Sequence, residues 1–368
     1  MQLFKNILQP IAAYANDHFI VTDYNPNIRN VRFRLRIWDP EISDYKTITE
    51  QFASPFNQQT VFTIKGVLGS LMSDYTNPFE YVDGGCNLIP PIDNKMSLRP
   101  LVGWREIMPD GSIGDFILET NYTIYKAAHT GENIIWKRIG DPIHGFANER
   151  TDNEIVRYCY ANDKIFLTVL YSQLGSPGDR PDFDIYLNDT KIGESGSIAD
   201  ARRRRDFVID LSEYSLPTIN ELRIVDPDTT ENYPGTVNYK FILDKNCYPR
   251  KKTLYFLNDF GGWEHYNFID YSVKETVDKD QYTTYKDIYG STSIGETVYH
   301  GQTEMTLFGR QLIAEGCNYL KHVLTSPIVL DEKGIRVRVT TSNLRLDEQG
   351  IIEPTVTIKY EKQDKIKN

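Results

Sequence analysis

The feature that most constrains this chain is a two-residue alternation of apolar and polar side chains that returns in segment after segment. In residues 31–38, Val31, Phe33, Leu35 and Ile37 fall on one face and Arg32, Arg34 and Arg36 on the other. Successive residues of an extended strand point to opposite faces, so such a run offers one face to a core and one to water. Wound into a helix, it would scatter its apolar residues around the axis. The same period recurs at 60–64, 121–125, 165–171, 207–211, 238–243, 335–339 and 355–360. Turn-forming residues lie between these runs, at 109–112, 175–178, 188–189 and 226–228, as expected where strands double back on one another. The pattern predicts antiparallel strands with one face wet.

Composition agrees. The chain carries 24 Tyr, 17 Phe and 4 Trp against 5 Met, a balance that suits pleated surfaces better than helical ones. At roughly 150 residues per domain, 368 residues imply two or three domains. Polar, strand-poor passages near 145–154 and 247–252 place the cuts, giving an N-terminal β domain at 1–150, a β-sandwich at 151–246 and a C-terminal β domain at 247–368. The fold class expected is mainly β: two or three antiparallel sandwich-like or barrel-like domains with one C-terminal helix. That helix is predicted over 310–324, where Ile313, Cys317, Leu320 and Leu324 recur at helical spacing before Pro327 ends it. Gly316 inside it costs about 1 kcal/mol relative to alanine. A shorter helical candidate lies at 66–73. An internal parallel also emerges: the strand at 32–38, a polar loop and the strand at 61–64 resemble the strand at 183–187, a polar loop and the strand at 207–211.

Charge and motifs narrow the function. A formal charge of −10 sets the field of the whole molecule against phosphate backbones, so no direct nucleic-acid partner is expected. Cys86, Cys159, Cys247 and Cys317 are far apart and form no CxxC pair, which reads as reduced thiols. The histidines form no HxH, HExxH or HxxxH pair, and GxSxG, GxxxxGK[ST] and GxGxxG are absent, so no catalytic, cofactor or metal residue is predicted. Asp182 and Asp184 are the carboxylate pair through which a glycan-cleaving enzyme would work, a third-ranked reading. No secretory signal and no apolar run near 18 residues is found, which predicts synthesis in a cytoplasm and no membrane partner.

Three features are candidates for subunit contacts. Arg202, Arg203, Arg204 and Arg205 form a run flanked by Asp200 and Asp206; it is read as a loop that pairs with an acidic neighbouring subunit, against the blander reading of a solvated hairpin tip. Tyr282, Tyr285, Tyr289 and Tyr299 sit among Thr, Ser and Gly, where tyrosine can bury at an interface or stack on a sugar, against the favoured reading of packing within a sheet. Gly261 and Gly262 make a tight turn between a strand at 254–257 and a second strand beginning at Trp263.

That last segment, 247–268, carries Leu254, Phe256, Leu257, Asn258, Gly261, Gly262 and Phe268 in order. It resembles the LxWLNxxGGxxxxxF signature of tail and baseplate-type structural proteins of tailed phages infecting Bacteroidetes, the crAss-like phages and their relatives. Phe256 stands where the signature often has Trp. The ending, a helix followed by strands at 335–340 and 355–360, is similar to the ending of those proteins. The resemblance covers about 216–360 and implies a virion component, several copies of which form a ring or collar in the tail, neck or baseplate. Its partners would be other tail or neck proteins and copies of itself, with no catalytic residue to carry over. The alternative is a receptor-binding protein that recognises a host surface glycan.

Overall fold

The computed structural model describes residues 2–4, 11–12, 18–22, 27–39, 41–54, 59–63, 67, 75–90, 97–98, 100–121, 124–125, 136–138, 143–146, 157–171, 183–194, 204–225, 237–258, 261–283, 295–310, 312–313, 320–341, 351–352 and 354–361. The helical candidate at 66–73, apart from Val67, and the turns at 175–178 and 226–228 lie outside them. The chain is mainly β, and its strands pair antiparallel, as the alternation predicts, apart from two short parallel pairs, Ile11–Ala12 with Ile124–Tyr125 and Tyr158–Cys159 with Ile242–Leu243.

The first third supplies β1 (Gln2–Phe4), β2 (Ile11–Ala12), β3 (His18–Thr22), β4 (Asn30–Asp39), β5 (Asp44–Ala53), β6 (Gln59–Thr63), β7 (Cys86–Leu88), β8 (Ser97–Leu98), β9 (Leu101–Ile107), β10 (Ile117–Asn121), β11 (Ile124–Tyr125), β12 (Trp136–Arg138) and β13 (Ile143–Phe146). A β1-β3-β6 sheet packs against a β10-β9-β4-β5 sheet. Val31, Phe33 and Leu35 of β4 are buried as the period requires, and Phe33 stacks on Phe62 of β6 at 4.9 Å. Between β9 and β10 the predicted turn is present, with Gly111 at φ 85° and Asp110 accepting from the Ser112 amide. The run at 121–125 does not form one strand. It divides between β10 and β11, and β11 joins a small β2-β11-β8 sheet.

The middle third adds β14 (Tyr158–Cys159), β15 (Lys164–Tyr171), β16 (Asp184–Leu187), β17 (Thr190–Glu194), β18 (Arg204–Asp210), β19 (Ile219–Val225) and β20 (Val237–Leu243). One sheet runs β12-β13-β15-β18-β7, the other β14-β20-β19-β16-β17. Ile165, Leu167, Val169, Phe207 and Ile209 of the first face Ile185, Leu187, Leu222, Ile224, Tyr239 and Phe241 of the second across a common core. Asn188 at φ 54° makes the tight β16–β17 turn. The strand runs at 165–171 and 207–211 correspond to β15 and β18, except that Leu211 has left the strand to open a 3-10 turn capped by Asp210.

The internal parallel extends to topology. β3, β4, β5, β6, β9 and β10 pair among themselves as β15, β16, β17, β18, β19 and β20 do, strand for strand. In each unit the first strand pairs with the fourth, while the second hairpins with the third and also pairs with the fifth. This is the Greek-key order of immunoglobulin-like sandwiches. Phe183 meets Phe207 edge-on at 5.4 Å where Phe33 meets Phe62 in the first unit. The units are also tied together. The connection that follows β6 carries a 3-10 turn, Pro78–Tyr81, and then β7, which pairs with β18 as an edge strand of the second sandwich.

The last third forms β21 (Lys252–Leu257), β22 (Trp263–Phe268), β23 (Asp270–Thr283), β24 (Gly295–Phe308), β25 (Leu312–Ile313), β26 (Val329–Asp331), β27 (Arg336–Val339), β28 (Ile351–Ile352) and β29 (Thr355–Glu361). Seven of these strands lie in one sheet, β22-β21-β26-β27-β29-β24-β23. Several central strands are covered on both sides. Phe166 and Val208 of the second sandwich share a core with Tyr255, Leu257 and Trp263, while Leu254 and Phe256 pack on the opposite side with Leu320 and Val323. The expectation of one wet face therefore fails for β15 and β18, where 165–169 and 204–210 are buried on both faces because sheets are layered on either side, and β21 and β22 are covered in the same way.

The predicted helix over 310–324 is also corrected. Leu312 and Ile313 form a strand paired with Ile352 and Ile351, and among the described residues of this stretch α-helix covers His322–Thr325, with no side-chain cap at its start, while 311 and 314–319 lie outside the described residues. Sheet pairing of Leu312 and Ile313 takes the start of the predicted run out of the helix.

Candidate functional site

The most distinctive surface element is the β23–β24 ribbon. Each strand has 14 residues, paired without a break from Asp270↔Phe308 to Thr283↔Gly295. β29 pairs with β24 only along Gln302–Phe308. The seven outer pairs, Val277↔Gly301 to Thr283↔Gly295, therefore extend as a two-stranded ribbon, and among the described residues no third strand joins it. At about 3.3 Å per residue this arm reaches roughly 20 Å beyond the sheet. Two-stranded hairpins are at best marginally stable in water, so the arm is suited to gaining strands or surface from a neighbour. β23 also ends the sheet order, so that among the described residues no strand pairs with its outer edge, and Val273 is 47% exposed beside exposed Ser272, Lys274 and Glu275.

Of the tyrosine candidates, Tyr282 lies in the outer part of this ribbon, opposite Glu296, and Tyr299 lies across from Lys279. Tyr285 and Tyr289 lie outside the described residues.

The other two candidates are placed differently from the expectation. Arg202 and Arg203 lie outside the described residues, but Arg204 and Arg205 are buried strand residues rather than loop residues. Arg204 binds Asp206 in a two-point pair, Nε to Oδ2 at 2.6 Å and Nη2 to Oδ1 at 2.8 Å, and Thr168 donates to the same carboxylate at 2.5 Å. Arg205 donates to the Arg204 carbonyl at 2.9 Å. The charge of this half of the run is thus used within the chain. The Gly261–Gly262 turn forms as read: the Gly261 amide donates to the Asn258 carbonyl at 3.0 Å, the Gly262 amide to Asn258 Oδ1 at 2.8 Å, and Gly261 adopts φ 87°. Trp263, however, is buried between the second sandwich and the C-terminal sheet, so it holds the chain together and offers no face to a partner. Of the carboxylate pair, Asp182 lies outside the described residues and Asp184 is ion-paired with Lys191 at 2.9 Å.

A surface that the motif search did not single out lies on the outer face of the first sandwich. The polar face of the alternation at 31–38 aligns guanidiniums with aromatic rings. Arg34 lies 3.6 Å over Phe116, Arg105 4.6 Å over the same ring, Arg32 5.1 Å over Phe52 and Arg36 5.5 Å over Tyr45. Trp38 meets Tyr45 edge-on at 5.3 Å. Arg105 sits directly across from Arg32, and partial burial together with Arg105 and Arg34 holds the Arg32 guanidinium below its ordinary range, although Glu50 pairs with it. Trp38 and Phe52 remain 50% and 58% exposed beside these cations.

A third constellation is internal. Where β14, the following turn and β22 meet, Cys159, Asp163 and His265 converge with their ligand atoms within 4.8 Å of one another, the one group of this kind among the described residues. Cys159 Sγ lies 3.3 Å from His265 Nε2. Asp163 accepts from the Tyr160 amide at 2.7 Å and from Asn267 Nδ2 at 2.6 Å. Burial pushes the Cys159 thiol well up and the Asp163 carboxyl up to about 6, while burial and nearby Arg157 press His265 down to about 3. Beside them Arg157 and Glu264, both buried, form an ion pair at 3.2 Å. Local spacing could not reveal this group, because His265 comes from a strand more than a hundred positions beyond Cys159.

No helix among the described residues is long and apolar enough to cross a membrane. No family model matches the chain, and no curated protein matches it.

Proposed function

We propose that this chain is a structural protein of a tailed-phage virion, assembling in several copies as a ring or collar in the tail, neck or baseplate. The observation that carries this reading is the outer β23–β24 ribbon, seven residue pairs without a third strand among the described residues, on a sheet whose edge is open. A repeated unit with a projecting arm and a free edge can close into a ring when each copy receives its neighbour's arm. The second sandwich and the C-terminal sheet, which share a core, supply the base from which the arm extends. The test replaces 277–301 by a short Gly-Asn turn and compares oligomer size by sizing chromatography and light scattering. The full chain is expected as an oligomer that co-sediments with particles, and the shortened chain as a monomer with unchanged circular dichroism. A full chain that stays monomeric at high concentration and never co-sediments overturns the proposal.

A second reading, recognition of an acidic host glycan, is favoured by the face on which Arg32, Arg34, Arg36 and Arg105 are interleaved with Trp38 and Phe52. Guanidiniums take carboxylates in two-point contacts and exposed rings stack on sugars. Retardation in gels cast with a polyuronate but not with neutral dextran, lost in Arg36→Glu and Trp38→Ala, would establish it.

A further inference from the structure

We infer that Cys159, Asp163 and His265 bind a divalent ion of the zinc class, and that this ion staples the second sandwich to the C-terminal sheet. Cys159 ends β14 and Asp163 closes the turn after it, whereas His265 stands on β22, so an ion held by all three joins elements from separate parts of the chain.

The donor set is one thiolate, one imidazole and one carboxylate, the mixture of soft and borderline ligands that zinc takes in tetrahedral sites. Cys159 Sγ and His265 Nε2, 3.3 Å apart, stand at the separation of two ligands that share a tetrahedral ion with bonds of about 2.0 to 2.3 Å, and Asp163, within 4.8 Å of both, reaches the same centre by a small side-chain shift.

The surroundings hold each ligand in place, as the outer shell of a metal site does. The Tyr160 amide and Asn267 Nδ2 fix the Asp163 carboxylate, and Asn267 in turn accepts from Thr253 at 2.5 Å and donates to the Tyr158 carbonyl at 2.7 Å. His265 is stacked on Tyr255, with centroids 5.6 Å apart and the planes 29° from parallel.

Charge completes the argument. Asp163 is buried, and among the described residues no cation forms an ion pair with it: Lys164 Nζ is 2.6 Å from Asp210 and Lys251 Nζ lies 3.8 Å over the Tyr160 ring, so both act on its carboxylate only from a distance. An ionised carboxylate buried with no counter-charge in contact is expensive. A divalent ion with one thiolate and one carboxylate makes a neutral unit. On binding, the Cys159 thiol gives its proton to solvent and its sulfur lone pair to the metal, while His265 binds as neutral imidazole. All three residues are at most 5% exposed, which closes the site to substrates and leaves it a structural role. Three protein ligands leave the fourth tetrahedral position to water or a neighbouring oxygen.

The test uses the full chain, grown with added zinc and purified without chelator. Denaturation in guanidinium with a zinc-sensitive dye is expected to release about one zinc per chain, and protein refolded with zinc should melt at least about 5 °C above protein refolded without it. Refolding with cobalt should give the near-ultraviolet charge-transfer band of a cobalt–thiolate bond. Cys159→Ser should abolish that band, and Cys247→Ser, at an exposed cysteine, should keep it. If Cys159→Ser does not fold, the band in the unaltered chain decides. Less than about a tenth of a zinc per chain, with equal melting temperatures and no cobalt band, would overturn the inference and leave a hydrogen-bonded cluster only.

Discussion

At the residue scale, the interior carries several charged side chains that are bound to specific partners. Arg157 shows how. Its side chain is 1% exposed, it contacts both oxygens of Glu264 at 3.2 to 3.3 Å, and its guanidinium lies 4.3 Å over the Tyr239 ring. Such a pair adds little relative to well-packed apolar side chains, but removing one partner strands the other charge in the core. Glu264→Gln keeps the shape and loses the charge, so it should cost about 3 kcal/mol, whereas Arg157→Met combined with Glu264→Gln should recover part of that loss. Urea unfolding of the two variants checks this; a double variant less stable than Glu264→Gln would contradict it. The second half of the arginine run pairs inwardly for a related reason. A block of four guanidiniums reads as a loop that seeks an acidic neighbour, yet Asp206 lies two residues from Arg204, and in a strand that spacing puts both side chains on one face. A charge run that continues into an alternating strand with an acid at i+2 is a sign of internal pairing.

At the scale of the element, alternation was legible wherever one face is wet. β4 is the clearest case, with Val31, Phe33 and Leu35 inward and the arginines outward. It was misleading where sheets stack, because in β18 alternate residues serve two different cores, Phe207 and Ile209 one and Val208 the other. Nothing local to 75–90 could reveal that this stretch of the first unit docks on the second and third, since its partners lie far along the chain. Phe79 packs edge-on to Phe166 at 5.3 Å and to Tyr255 at 4.9 Å, and Asn77 donates to the Gly334 carbonyl at 3.1 Å. Gly334, at φ 74°, turns β26 into β27, and a β-carbon there would lie 2.9 Å from Phe79 Cβ. Gly111, at φ 85°, has nothing within 4 Å of that position. Both alanine variants meet the left-handed backbone penalty of about 1 kcal/mol, but Gly334→Ala must also displace Phe79, so it should cost at least about 2 kcal/mol. Paired denaturation curves for Gly334→Ala and Gly111→Ala measure the difference; equal midpoints would mean that Phe79 yields freely and that the docked segment is loosely held.

At the scale of the whole molecule, the cuts read at 150 and 246 describe where strand runs pause, but the cores cross them. Ile89, Phe166, Val208, Tyr255, Leu257, Trp263 and Leu330 make one cluster drawn from all three sequence pieces. The seam beneath it is polar, with Arg157 bound to Glu264 and Asp163 to Asn267, so parting the second sandwich from the C-terminal sheet would expose a buried ion pair as well as apolar surface. The first sandwich has its own facing sheets, and β7 with the segment before it reaches across to the rest. Regions that share a core open together, while a region with a core of its own, joined to the rest through connecting segments, can open by itself. Native-state hydrogen exchange should therefore give the β15 amides around Leu167 and the β21 amides around Phe256 the same opening free energy, with the β4 amides around Phe33 opening at a lower one. If β15 exchanged well ahead of β21, the two would be separate folding units, and the rigid base that the β23–β24 arm requires would shrink to the C-terminal sheet alone.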